Sequence, residues 1–147
     1  GFRIGYLVVP RALRERMLTI RRLTDRFPST LAEDALTEFL RDGHFSAHIK
    51  RARKRVKAAR DALVEALREG PFAVSTPEQG LHLVAELASG ADDVLLARQA
   101  KEAGFGTKAL SPLYQGASGR RGLVIGFSGF PPEVLGAAAR RFCASLG

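Results

Sequence analysis

Cysteine occurs once, as Cys143, in a chain of 147 residues. A single thiol cannot close an internal disulfide and has no CxxC partner for zinc. A cysteine-built metal centre is therefore excluded, and a reducing compartment is implied. The helix-like spacing around Cys143 reads as that of a small packing residue. Long apolar runs are missing as well. The longest near the start, Tyr6 to Pro10, falls far short of the ~20 residues a membrane span needs, and no charged segment leads into it. The expectation is a soluble, cytoplasmic chain with neither signal peptide nor anchor. Histidine is scarce: His44, His48 and His82 are the candidates for acid-base chemistry at neutral pH. His44 and His48 stand four residues apart, a spacing used by zinc sites, but no third ligand lies near, so both read as structural. His82 falls on the polar side of an expected strand and reads as a partly exposed sheet position. No GxSxG elbow, Walker-type glycine loop or GxGxxG after a strand is found. Carboxylates pair only as neighbours, Glu33-Asp34 and Asp92-Asp93, and both pairs read as helix openers. On composition and spacing alone, no catalytic residue and no metal ligand can be named.

Positive charge is what the chain has in excess, with a formal net charge of +8. Seven cations between Lys50 and Arg60 supply most of it: Lys50, Arg51, Arg53, Lys54, Arg55, Lys57 and Arg60. Through that run pass Phe45, Ile49, Ala52, Val56, Ala59 and Leu63 at steps of three and four, the mark of one buried helical stripe. The bases therefore clothe the remaining surface of a docked amphipathic helix. That surface is either solvated or an interface, and direct contact with nucleic acid is the alternative. An apolar content of 46% is enough for one sizeable core, so a single compact domain with a leading extension is expected.

The first ten residues, GFRIGYLVVP, lack polar alternation and read as a strand buried on both faces. Pro10 suits the first turn of a helix running from Arg11 to Asp25, which Phe27-Pro28 stops. A second helix is expected from Leu31 to Arg41, with Ser29 and Thr30 as N-cap oxygens and Gly43 ending it. The third and longest runs from about His44 to Glu69. Beyond Gly70-Pro71 the texture changes. Strands are expected at Phe72–Ser75, Leu81–Leu87, Phe105–Leu110 and Leu123–Phe127, a helix from Asp92 to Gly104, and a last helix from about Pro132 to Leu146. Three helices followed by a β-β-α-β-β-α unit make an α+β fold, a small, mostly antiparallel sheet with helices on one face.

Several segments, taken in order, resemble one family. FRIGYLVVP (Phe2 to Pro10) resembles the stretch that follows the cofactor-binding lysine in fold-type-I pyridoxal-phosphate proteins, above all the MocR branch of the GntR-type bacterial transcription regulators. GHFxxHIxRxR from Gly43 to Arg53 resembles that branch's middle region. GLHLV (Gly80 to Val84), FGTKALSPLY (Phe105 to Tyr114) and GLVIGFSGFPPEVL (Gly122 to Leu135) resemble its closing motifs. The resemblance implies that residues 1–10 are the terminal strand of the large cofactor-binding domain, 11–70 connecting helices and 71–147 the C-terminal small domain. It implies pyridoxal phosphate in the parent protein, with Arg3 at the place of the arginine that binds the phosphate. The Schiff-base lysine would lie upstream of Gly1, so the chain by itself would bind no cofactor and catalyse nothing, although the parent resembles an aminotransferase. A DNA-binding region upstream, a homodimeric parent and an amine or amino-acid effector are also implied.

One departure separates regulators from many aminotransferases. Where the latter carry a carboxylate-binding arginine, in a pattern like FRLSFA, this chain reads LVIGFS, with Val124 in the arginine's place. Lys108, Arg120 and Arg121 are the nearest cations able to hold an effector carboxylate; solvent-exposed loop charge is the alternative for each. Two other functions stay open at this stage, a fragment of a stand-alone aminotransferase and a nucleic-acid module built on the basic helix 50–60.

Overall fold

The computed structural model describes residues 4–24, 27, 29–88, 90–116 and 119–146. The chain divides into two compact units, Gly1–Lys50 and Arg51–Gly147.

The first unit contains a 3-10 turn at Arg11–Leu13, helix α1 (Arg14–Thr24), helix α2 (Thr30–Arg41) and the opening turns of α3 (His44–Arg68). Pro10 stands just outside the turn with an extended backbone, φ −52° and ψ 143°, rather than within the helix. Ser29 holds the N-cap position of α2, but its side chain makes no capping bond; only its carbonyl serves, accepting from the Glu33 amide at 3.0 Å. Phe39 near the end of α2 meets the rings of His44, Phe45 and His48 at centroid distances of 6.1, 6.3 and 6.4 Å. The two histidines are thus side walls of an aromatic cluster. No described residue of this unit is buried.

One expectation is corrected here. Residues 4–10 form no strand among the described residues, and Tyr6 and Val8 are each 89% exposed. A β-branched run becomes a strand only when a neighbour accepts its backbone hydrogen bonds, and the described residues supply none at this segment.

The second unit owns the core. From Arg51 onward α3 turns Val56, Ala59 and Leu63 to the interior, with Ala52 half-buried on the same stripe, as the three-and-four spacing requires. After it come β1 (Ala73–Val74), β2 (His82–Glu86), α4 (Asp93–Glu102), β3 (Lys108–Ala109), a 3-10 turn (Ser111–Leu113), β4 (Gly122–Gly126) and α5 (Pro132–Ala144). The four strands make one antiparallel sheet in the order β1-β2-β4-β3. The outer two are shorter than their sequences suggest, and at β3 the end of α4 claims the residues ahead of the strand. Phe105 closes α4 instead of opening β3: with Gly104 at φ 77°, the Phe105 amide reaches back to the Ala100 carbonyl at 2.8 Å, a Schellman closure.

Leu63, Ala66 and Leu67 of α3, Ala100 of α4 and Leu135, Ala139 and Phe142 of α5 pack in one cluster with Leu83, Ala85, Leu123 and Ile125 of the sheet. Each large side chain buried there contributes roughly 1.5–3 kcal/mol. Phe142 stacks between Phe105 and Phe72, with centroids 5.4 and 6.2 Å away. Cys143 lies buried beside them, its Sγ 3.7 Å from the Ala66 carbonyl, and burial pushes its thiol pKa up. A neutral packing thiol is what the sequence reading expects.

Candidate functional site

Strand alternation gives the sheet of the second unit two unlike faces. Leu83, Ala85, Leu123 and Ile125 point into the core. The opposite parity brings together His82, Val84 and Glu86 of β2, Gly122, Val124 and Gly126 of β4, and Lys108 of β3. Gly122 is the one buried residue of this second face; the others are exposed or half-buried.

Register orders the face into rows. His82 lies opposite Gly126, Glu86 opposite Gly122, and between them Val84, Val124 and Lys108 form a single cross-sheet row. The glycines keep the face low: a Cβ placed on Gly126 would stand 3.4 Å from the His82 ring. Arg120, just ahead of β4, ion-pairs with Glu86 across the next row. That bond, then the charge of Glu86 and of Tyr114, hold the Arg120 guanidinium above its ordinary pKa. The outcome is a shallow apolar floor with an ammonium at one edge and a neutralised ion pair along one side. Such a surface can seat a small apolar group and anchor an attached anion.

Asp93 fixes the rim of this face. Its carboxylate has 0% exposure and accepts four hydrogen bonds. Oδ2 takes the amides of Leu110 (3.1 Å), Ser111 (2.8 Å) and Gly122 (3.2 Å), while Oδ1 takes the Ser111 hydroxyl at 2.6 Å. Burial opposes ionisation, but the Ser111 hydroxyl and the three amides outweigh it and hold the carboxyl below the usual range. Asp92 does what the sequence suggests, capping α4 through the Val94 and Leu95 amides, both at 3.0 Å. The Asp92-Asp93 pair therefore splits into one cap and one clamp. A signal for the clamp exists in the sequence: Asp93 precedes Ala100 by two helical turns and so shares the inward stripe of α4, where a carboxylate must find partners.

The expected site residues fall in different places. Arg3 lies outside the described residues. Lys108 sits on the open face, exposed, with no ion pair to a described residue. Arg120 borders that face through Glu86. Arg121 has the parity of Leu123 rather than Val124; its carbonyl extends the ladder by accepting the Leu87 amide at 2.9 Å, and its half-buried side chain belongs to the other side. Lys108 and Arg121 therefore do not converge. Among the described residues no three His, Cys, Asp or Glu side chains group as metal ligands, and no helix is long and apolar enough to cross a membrane. Neither do the described residues alone make a cradle for pyridoxal phosphate. The cations on the sheet stand at its rim and converge on no common anion position.

Comparison with known proteins places this geometry. The family profile described as Aminotransferase class I and II matches residues 1–109. The probable rhizopine catabolism regulatory protein MocR of Rhizobium meliloti is 29% identical over 139 residues, which cover 92% of this chain and 28% of that protein. The uncharacterized HTH-type transcriptional regulator YdfD of Bacillus subtilis (strain 168) is 33% identical over 60 residues, 41% of this chain and 12% of that protein. This chain thus spans less than a third of the length of the curated relatives it matches. Among solved structures, the kynurenine aminotransferase of Pyrococcus horikoshii superposes with a TM-score of 0.86 at 23% identity, over 99% of this chain and 37% of that one. An archaeal alanine:glyoxylate aminotransferase gives 0.87 at 22% identity, over the same shares. At such identities the likeness establishes the fold: the small α+β domain and connecting helices of a pyridoxal-phosphate-dependent transferase.

Proposed function

We propose, on the premise that this chain belongs to the class I and II aminotransferase family, that it is the C-terminal part of the effector-sensing domain of a bacterial transcription regulator of the MocR type. The parent protein is cytoplasmic and dimeric, binds DNA through an N-terminal domain outside this chain, and holds pyridoxal phosphate. The Schiff-base lysine lies outside the chain, and Arg3 serves as the phosphate-binding arginine. The effector is an amine or amino acid, and its binding shifts the arrangement of the dimer. The chain alone is inactive.

The observation that carries this reading is the row Lys108–Val124–Val84. The centre of the open face, where aminotransferases of this kind place a guanidinium, is a valine, so a bidentate clamp on an α-carboxylate is missing. An ammonium one strand away supports holding a carboxylate as a point charge. That suits recognition of an effector more than fast processing of a general amino donor.

The test uses the full-length parent, titrated with a panel of amino acids and their decarboxylated amines while cofactor absorbance is followed. The expected result is a saturable spectral change with at least one compound and no sustained turnover. Lys108→Gln should weaken carboxylate-bearing ligands about tenfold to a hundredfold and leave the matching amines unchanged. Sustained transamination of an amino donor would instead identify a stand-alone aminotransferase.

A further inference from the structure

The second unit carries a strongly charged helix face that the effector site does not use. Arg51, Arg53, Lys54 and Arg55 are all exposed, and none makes an ion pair or side-chain hydrogen bond with a described residue. The neighbouring cations differ. Lys57 and Arg60 both reach Asp61, at 2.7 and 2.6 Å, and Arg60 also donates to the Pro77 carbonyl at 2.8 Å. Asp61 and Glu65 are the acids of α3, and both lie beyond the four unpaired cations.

At 3.6 residues per turn, Ala52, Val56, Ala59 and Leu63 fall on the arc that faces the core, Arg51, Lys54 and Arg55 share one side of the remaining surface, and Arg53 lies on the opposite flank. The patch is about 6 Å long and about 10 Å across, a scale on which duplex DNA presents several phosphates. Three of the four cations are arginines, whose planar fork matches a phosphate in two bonds. A lipid surface fits less well. Membrane-lying helices need an available apolar face, and here that face is already inside the core.

We propose that this face of α3 is an auxiliary contact for the sugar-phosphate backbone of duplex DNA, so that the effector half of the regulator itself touches DNA. It reads no sequence; it adds electrostatic affinity and couples the position of the effector domain to the bound duplex. The proposal rests on the reading of the parent as a DNA-binding regulator.

The experiment measures binding of the full-length parent to a mixed-sequence duplex over a salt series. Three proteins are compared: wild type, R51Q/R53Q/K54Q/R55Q, and a charge-matched control with Arg14, Arg16, Arg21 and Arg22 changed to glutamine. Each phosphate that a variant no longer neutralises should make the slope of log K against log salt shallower by about 0.9. The α3 variant should lose about two to four such increments, the control none, and R51K/R53K/R55K should retain the wild-type slope. An unchanged slope in the α3 variant, or equal losses in both glutamine variants, overturns the proposal. A wild-type parent that binds no duplex at low salt overturns the regulator reading along with it, a result distinguishable from the other two.

Discussion

A single carboxylate decides much of the small domain's geometry. Asp93 accepts four hydrogen bonds in a site closed to water, so its removal deprives the Ser111 and Gly122 amides and the Ser111 hydroxyl of their acceptor, while the Leu110 amide keeps the Gly122 carbonyl at 2.9 Å. Asp93→Ala is expected to cost about 3 kcal/mol or more, and Asp93→Asn about 2 kcal/mol, in chemical denaturation. The pH dependence follows from the same bonds. The folded-state pKa of Asp93 is depressed from 3.8, so the folded form binds fewer protons than the unfolded one as pH falls through that region. Its stabilisation is complete above the unfolded value and disappears as pH drops toward the folded one. An acid titration of stability should lose part of its slope below about pH 4 in Asp93→Asn. Asp61 is shifted the same way by Lys57 and Arg60, but its side chain is nearly half exposed, and solvent screening leaves it little weight. Two glycines of β4 make a second contrast. A Cβ on Gly122 would fall inside the Ala85 carbonyl oxygen and 3.0 Å from the Glu86 Cα, both backbone atoms, whereas one on Gly126 meets only the His82 ring. Gly122→Ala is expected to lose about 2 kcal/mol or more in thermal unfolding, Gly126→Ala under about 1 kcal/mol.

Elements were legible where periodicity ran long. The repeat through Ala52, Val56, Ala59 and Leu63 located α3 and its inward stripe, and Gly43 marked the junction before it. The alternation from Leu81 to Leu87 located β2 and its two faces. Shorter signals were ambiguous. β1 and β3 are two-residue edge strands, and residues 105–107, which look strand-like, serve the end of α4. Of the site, Lys108 was legible as a cation near the critical strand, but its place beside Val124 is a property of register, which no local pattern encodes. The same holds for Arg121, whose parity sends it to the other face. The helices of the first unit invite a prediction at this scale. α1 and α2 bury no residue, with Leu23 and Leu31 at least 80% exposed. In the isolated chain, their amides should exchange with deuterium far sooner than those of β2 and β4; equal protection would contradict the description of a coreless unit.

Over the whole molecule, apolar composition is spread along the chain while burial is not. The described core lies between Ala59 and Cys143, although residues 4–50 hold many large apolar side chains. The average hydrophobicity in the sequence suggested one domain with a leading extension. The structure shows that only the latter part satisfies its own surface. The solved structures it resembles are longer, this chain covering 37% of each. Deleting residues 1–50 should therefore shift the calorimetric midpoint of the remaining domain by no more than about 4 °C, the equivalent of about 1 kcal/mol in a domain of this size.

The Asp93 clamp has a consequence for how such a domain can diversify. One oxygen grips both feet of the loop joining β3 to β4, at Leu110 and Ser111 on one side and Gly122 on the other. Whatever lies between those feet can lengthen, shorten or change its chemistry without disturbing the pairing of the strands. A carboxylate that takes no part in recognition thus licenses variation in the segment bordering it, and a graft of a foreign loop between Leu113 and Arg120 would inherit a ready-made seat.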